Sequence, residues 1–279
     1  MAVSSAQHGI GSGKEAAQGG ASDAPRPIPP GGGRWLRPAL SVAVLIALWA
    51  LISWLVADPF RAPGPAEVLP RLVEGLSSGK MTADLIATLR RVVLSFALAM
   101  GIGMAVGLAL GLSPRLDRWL DPWLTVALNV PALVVVVLCY LWIGLNETAA
   151  VIAVALNKIP TVAVLLREGV RVLDPGLRDM GRVFRMSPMA RLRHIILPQL
   201  SPQIFAAART GLSLIWKIVL VVEFLGRPDG IGFRIHLDFQ MFDIAGVLAN
   251  ALAFVAVMLA IEWGVLAPLA RRAARWRPA

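Results

Sequence analysis

Six runs of mostly apolar residues, separated by short basic stretches, set the limits on what this chain can fold into. They extend from Leu40 to Ala57, Val92 to Leu112, Leu124 to Ile143, Thr148 to Leu166, Gln203 to Leu225 and Ile244 to Ala270. Each is close to the roughly 20 residues that a helix needs to cross the hydrocarbon core of a bilayer. The spacing predicts an all-α membrane protein with six spans inside residues 39–270. Residues 1–38 are rich in Gly, Ala, Ser and Pro, which predicts a disordered tail. They lack the apolar stretch and small-residue cleavage site of a signal peptide. Residues 271–279 form a basic tail.

The formal net charge of +10 would suit a nucleic-acid binder, but the arginines are not interleaved with aromatics. They sit in the short stretches between apolar runs, as the positive-inside rule requires of a membrane protein. The two tails, Arg115 and Arg118, and the arginines from Arg167 to Arg193 give seventeen basic residues on one side. Arg61, Arg71, Lys80, Arg90, Arg91, Arg227 and Arg234 give seven on the other. That difference predicts cytoplasmic termini and excludes nucleic acid as the explanation of the charge. Cys139 is the single cysteine, so no internal disulfide forms, and three scattered histidines offer no metal site.

Several runs carry residues that a plain span would not. Gly103, Gly107 and Gly111 repeat every four residues, a flat strip that lets helices approach closely. Pro131 interrupts the third run; Asn157, Lys158 and Pro160 lie in the fourth, and the segment around Pro160 is expected to be irregular. The fifth run contains Arg209, Lys217 and Glu223. Between the first and second, Pro59, Pro63, Pro65 and Pro70 predict an irregular segment, followed by an amphipathic piece with Leu69, Leu72, Val73 and Leu76 at the membrane surface.

Between the fourth and fifth runs lies a basic, amphipathic element, residues 174–201. Asp174-Pro175 and Ser187-Pro188 each place a capping side chain before a proline, the signature of a helix start. Leu177, Met180 and Phe184 then share one helical face, with Arg178, Asp179, Arg182 and Arg185 off it. Met189, Leu192 and Ile196 repeat the pattern. Pro198 is expected to stop this second helix, and Ser201-Pro202 to start the next span. Such a pair, held between two spans, is built to meet another protein.

The element resembles the EAA loop of ABC importer permeases, whose pattern is EAA-x3-G-x9-I-x-LP. Asp179-Met180-Gly181, three residues, Arg185, nine residues and Ile195-Ile196-Leu197-Pro198 keep its spacing. Ile195, Leu197 and Pro198 match it outright, while Asp179 stands for Glu, Met180 and Gly181 for the alanines, and Arg185 for the glycine. Glycine accepts a left-handed cap at low cost and arginine does not, so the turn at Arg185 is left open. Thr88-Leu89-Arg90-Arg91-Val92, Gly144 with Glu147, and Val222-Glu223-Phe224-Leu225-Gly226 with Gly230-Ile231-Gly232 are similar to the nitrate/sulfonate/taurine branch. The usual Asn-Thr pair of the fourth span is not evident; Arg167-Glu168-Gly169 occupies its neighbourhood.

The resemblance implies a type I importer permease in a bacterial inner membrane, acting as a homodimer with two cytoplasmic ATPase subunits and an extracytoplasmic binding protein. ATP and Mg²⁺ would be bound by the ATPase: this chain has no GxxxxGK[ST] phosphate loop. The resemblance assigns ATPase coupling to Asp179, Met180, Gly181, Arg182, Phe184, Arg185, Ile195, Leu197 and Pro198. Lys158 and Lys217 lie where a bare cation is costly, making them candidates for the path of a small anionic solute such as a sulfonate. Alternatively each lysine reaches an interface along its stem, or pairs with Glu223 or a carbonyl. Glu223, the third candidate near that path, is expected to stabilise an outer loop or gate. The competing classes are an ion-coupled secondary transporter, which favours internal repeats that are not evident here, and an intramembrane enzyme, for which the spans offer no nucleophile–base arrangement.

Overall fold

A computed structural model describes residues 36–268, all of whose regular elements are helical. Nearly all of the 1–38 tail and the 271–279 tail lie outside the described residues. The chain divides into two units, Met1–Ile46 and Ala47–Ala279. Helix α1, Leu36–Val56, contains the apolar stretch Leu40–Val56. Its last turns belong to the larger unit, where Trp49 Nε1 donates to the Pro63 carbonyl at 3.1 Å and Ser53 Oγ to the Ala62 carbonyl at 2.7 Å. These bonds satisfy a proline-rich stretch that cannot form a regular ladder.

In the larger unit, α2 (Pro65–Ser77) is the amphipathic piece. It is followed by α3 (Lys80–Leu112), α4 (Pro114–Asn129), α5 (Ala132–Ile143) and α6 (Glu147–Arg171). Then come α7 (Pro175–Val183), α8 (Pro188–Gly226), α9 (Ile231–Gln240) and α10 (Ile244–Ile261). The centre of the bundle is the contact of α3 with α6. A Cβ on Gly103 would lie 2.6 Å from Val162 Cβ, one on Gly107 2.5 Å from the Ala163 carbonyl oxygen, and one on Gly111 2.5 Å from Val170 Cβ. The glycine strip therefore does what its spacing predicts. In lipid, where apolar burial alone drives little association, such close approach supplies the dispersion contacts that hold helices together. Val162, Leu166 and Val170 on α6 are fully buried against this strip and against Leu200 of α8.

The structure departs from the expected spans in three places. Among the described residues four helices are long and apolar enough to cross a bilayer: α3, α6, α8 and the helix from Ile244 to Gly264. The pair α4 and α5, bent by 95° at their break, is a fifth if it counts as one span, and α1 adds the shorter apolar stretch Leu40–Val56. The third run is thus two helices. Pro131 has no N–H to donate and drives Val130 to an extended ψ of 125°, so the helix cannot pass. Asn157 of α6 donates to the Ala132 carbonyl at 3.3 Å beside this break.

The second correction concerns Pro198, which does not end its helix: α8 runs unbroken from Pro188 through Pro198 and Pro202. A π-helical turn, Leu192–Ile196, precedes Pro198 and lets Leu197 N–H bond back to the Leu192 carbonyl. That extra residue moves the register where the proline ring would otherwise meet the helix. Ser201 Oγ donates to the Pro198 carbonyl at 2.8 Å, satisfying the acceptor that Pro202 leaves without an N–H. Third, α6 is continuous through Pro160, where irregular backbone was expected.

Candidate functional site

Polar side chains interrupt the apolar bundle at each end and in its middle. At one end Arg91 of α3 is buried to 1% exposure. Its Nη1 donates to Glu223 Oε1 at 2.7 Å and to the Asp229 carbonyl at 3.0 Å. Its Nε and Nη2 donate to Glu147 Oε2 at 3.1 and 2.9 Å, and Nη2 also reaches the Asp229 carboxylate. Glu223, completely buried, accepts from Thr88 Oγ1 and Gly232 N–H, both at 2.9 Å. The turn after α8 must pass so near this carboxylate that a Cβ on Gly230, whose φ is 101°, would fall 2.4 Å from Glu223 Cδ. Gly232 is equally constrained, 2.3 Å from the Leu220 carbonyl oxygen. Arg90 and Arg227 also reach Glu147, so three cations meet the three carboxylates of Glu147, Glu223 and Asp229. The cluster is balanced. It ties α3, α6, α8 and the start of α9 together and offers no net charge to a solute.

The middle of the bundle is different. Lys158 is 2% exposed, and its Nζ has no hydrogen-bond partner among the described residues. It ends beside Gly211 of α8, where an added Cβ would stand 3.4 Å from Lys158 Cε. Lys217 projects from α8 and is exposed. The pairing of a lysine with Glu223 is therefore not formed: Glu223 belongs to Arg91. The structure does not bring Lys158, Lys217 and Glu223 into one site.

At the opposite end, α7 hangs between α6 and α8. Asp174 Oδ1 caps Gly176 N–H at 2.8 Å, and Ser187 Oγ caps Ala190 N–H at 3.2 Å, as the sequence predicts. Gly181 is the buried point of α7; a Cβ there would lie 2.8 Å from Ile195 Cδ1. Leu177, Met180, Val183 and Phe184 are exposed, so the stripe faces away from the bundle. Asp179 and Arg182 pair at 2.9 Å on the surface. Arg185 takes φ +49°, the left-handed conformation that glycine favours. Met186 N–H bonds to the Gly181 carbonyl at 3.0 Å and Arg185 N–H to that of Arg182 at 2.9 Å, the two bonds of a Schellman cap. The turn is retained, with arginine bearing a strain of about 1 kcal/mol that glycine would avoid. Ile195 is buried, Leu197 half-buried and Pro198 exposed. A cavity of about 430 Å³ opens between the two helices, lined by Leu112, Arg182, Met189, Arg191, Leu192 and Ile195 among others.

The same end holds a network that sequence reading did not find. Arg167 bonds Asp117 at 3.1 Å and also Asp121, and Arg171 bonds Asp117 and, at 2.8 Å, Glu168. These pairs fasten amphipathic α4 to the last turns of α6, immediately before α7. Counted as loop charge, Arg167 and Arg171 gave no sign of it; the available signal was Asp117 and Asp121, acidic residues four apart in an otherwise basic stretch.

Membrane-length helices, ion pairs where they end and an exposed helical element between two of them describe an integral membrane protein with a free helical face at one end. The chain belongs to the family described as binding-protein-dependent transport system inner membrane component, which matches residues 97–271. It is 29% identical to the putative aliphatic sulfonates transport permease protein SsuC of Bacillus subtilis (strain 168), covering 87% of this chain and 88% of that protein. To the protein of the same description from Escherichia coli (strain K12) it is 31% identical, over 84% of this chain and 89% of the other. Among solved structures, an inward-facing form of the MetNI methionine ABC transporter superposes with a TM-score of 0.61, at 17% identity, over 71% of this chain and 98% of that one. That likeness is one of fold. The chain is an integral inner-membrane permease component of the ABC importer type, in the branch its motifs resemble.

Proposed function

We propose that this chain forms the translocation path of an ATP-driven importer for a small anionic solute of the sulfonate, taurine or nitrate class. Two copies make the path, an extracytoplasmic protein delivers the solute, and two cytoplasmic ATPase subunits bind ATP and Mg²⁺. The charge difference of seventeen against seven supports cytoplasmic termini, with α7 on the same side. The sulfonate relatives support the solute class.

The observation that carries this reading is α7: capped at both ends, seated on α8 through Gly181, with its apolar stripe unpaired. A short helix with that face outward is suited to the groove-docking mode of helix recognition. Closure of the ATPase pair on ATP would move the docked helices. The Arg167–Asp117 network would carry that motion into α4 and α6 as a rigid-body shift between two openings. Lys217 lines the path in this reading, Lys158 stands buried behind it, and Glu223 belongs to the lock at its outer end.

The docking test is Met180→Asp combined with Phe184→Asp. Both side chains are exposed, so the fold is kept while the stripe is made anionic. Burial of each is worth about 1.5–3 kcal/mol, so ATPase co-purifying with the full-length permease falls at least about tenfold. Undiminished co-purification would remove α7 from the interface.

A further inference from the structure

Charge inside the bundle is not balanced around α8. Arg209, Thr210, Ser213 and Lys217 are spaced to share one face of that helix, and all four are exposed in the single chain. From Arg209 to Lys217 the face extends about 12 Å at roughly 1.5 Å per residue. Arg209 pairs with Glu262 at 2.9 Å, and both line a cavity of about 340 Å³ with Thr210, Ser213 and Trp216. Glu223, the one carboxylate of α8, is held by Arg91, which leaves Lys217 without an ion-pair partner among the described residues. On another side of α8, Lys158 ends beside Gly211 with its ammonium unpartnered. Two cations, Arg209 and Lys217, thus stand against one carboxylate on this part of a membrane helix, with the buried Lys158 amine behind it. Lipid is a poor cover for such a face, because ionised side chains inside a span turn to protein or to water.

We propose that the Arg209–Ser213–Lys217 face of α8 is a water-lined track that passes a singly charged oxyanion such as a sulfonate. This rests on the importer reading above and names the chemistry of its path. A sulfonate stays ionised at any physiological pH, so it needs a cation and hydroxyl donors to replace its water. Lys217 supplies the full charge. Thr210 and Ser213 supply rotatable hydroxyls; that of Ser213 is now turned to the Thr210 carbonyl at 3.2 Å. Arg209, paired with Glu262, guides without holding. Passage needs a site attractive enough to enter and weak enough to leave, which an open face meets and a closed cage does not. Lys158, buried behind the helix, does not touch the solute.

The test uses the full-length chain in proteoliposomes, with the lone, buried Cys139 replaced by alanine and Ser213→Cys introduced. Two methanethiosulfonates of similar size are added to both sides: the anionic 2-sulfonatoethyl reagent and the cationic 2-(trimethylammonium)ethyl reagent. Each converts the thiolate to a mixed disulfide and releases methanesulfinate. With each rate divided by that reagent's rate toward a small free thiol, the track predicts at least a tenfold faster reaction with the anionic reagent, falling to near parity when Lys217→Met is added and restored by Lys217→Arg. No reaction with either reagent would place the face against lipid or packed protein and overturn the track. Equal rates, or a faster cationic reaction, would leave the face wet but remove its selectivity for anions, which also overturns it. The rates do not depend on ATP, so failure of ATP-driven uptake would sink the importer reading and leave this result to be judged separately.

Discussion

Replacing Gly107 by leucine is expected to remove the folded protein from the membrane, while Gly101→Leu, six residues earlier on the same helix, leaves it in place. At Gly107 even a Cβ would stand 2.5 Å from a backbone oxygen of α6 and 2.8 Å from Leu166 Cβ. Backbone cannot swing aside as a side chain can, so α3 and α6 must separate along their glycine contact. Overpacking a core costs about 1–3 kcal/mol and more when only backbone can yield. In lipid the lost dispersion is not offset by a hydrophobic term. Gly101 meets nothing within 4 Å, so its substitution only adds an exposed apolar side chain and improves helix propensity. Monodisperse yield after detergent extraction, with the two variants side by side, reads the difference. Equal yields would mean that α3 and α6 do not meet at the glycine strip.

The second large effect is expected from Arg91→Met. Without the guanidinium, Glu223 keeps only Thr88 and Gly232 as partners at complete burial. Breaking a buried ion pair from one side costs about 3–5 kcal/mol, because the remaining charge is stranded. Adding Glu223→Gln removes that stranded charge while keeping an acceptor for Gly232 N–H, and should recover about half of the loss. Denaturant titration of the two variants against the parent protein measures both steps. If the double variant were no more stable than the single one, the stranded carboxylate would not be the source of the cost.

Much of this was legible in the sequence, and its failures have physical causes. The capped start of α7, the glycine strip and the apolar runs are local patterns, and local patterns survive folding. Prolines misled in opposite directions. Pro131 bent its run more sharply than a tolerated kink, whereas Pro198 and Pro160 lie inside unbroken helices. What decides is whether neighbours resatisfy the backbone; Ser201 and the π turn do so around Pro198 and Pro202, and no sequence rule announces a π turn. Thr88–Val92, Glu147 and Glu223–Gly232 were each visible as separate motifs. Their convergence was not, since Arg91 and Glu223 are 132 residues apart. Lys217, closer in sequence, was the natural partner to suggest for Glu223, yet helical phase turns it to another face. Arg185 shows the reverse case. The residue argued against a left-handed turn, and the packing of Gly181 on Ile195 together with two backbone bonds holds it there regardless.

In the proposed mechanism ATP, spent by a partner docked on α7, drives an anion through this chain. Its most direct measurement is uptake of a radiolabelled aliphatic sulfonate into proteoliposomes that hold the permease and its ATPase subunits, with the loaded binding protein outside and ATP inside. We expect uptake that requires ATP, the ATPase and the binding protein together, and that persists when a protonophore and ionophores collapse the ion gradients. Uptake by the permease alone, driven by an imposed ion gradient and indifferent to ATP, would contradict it.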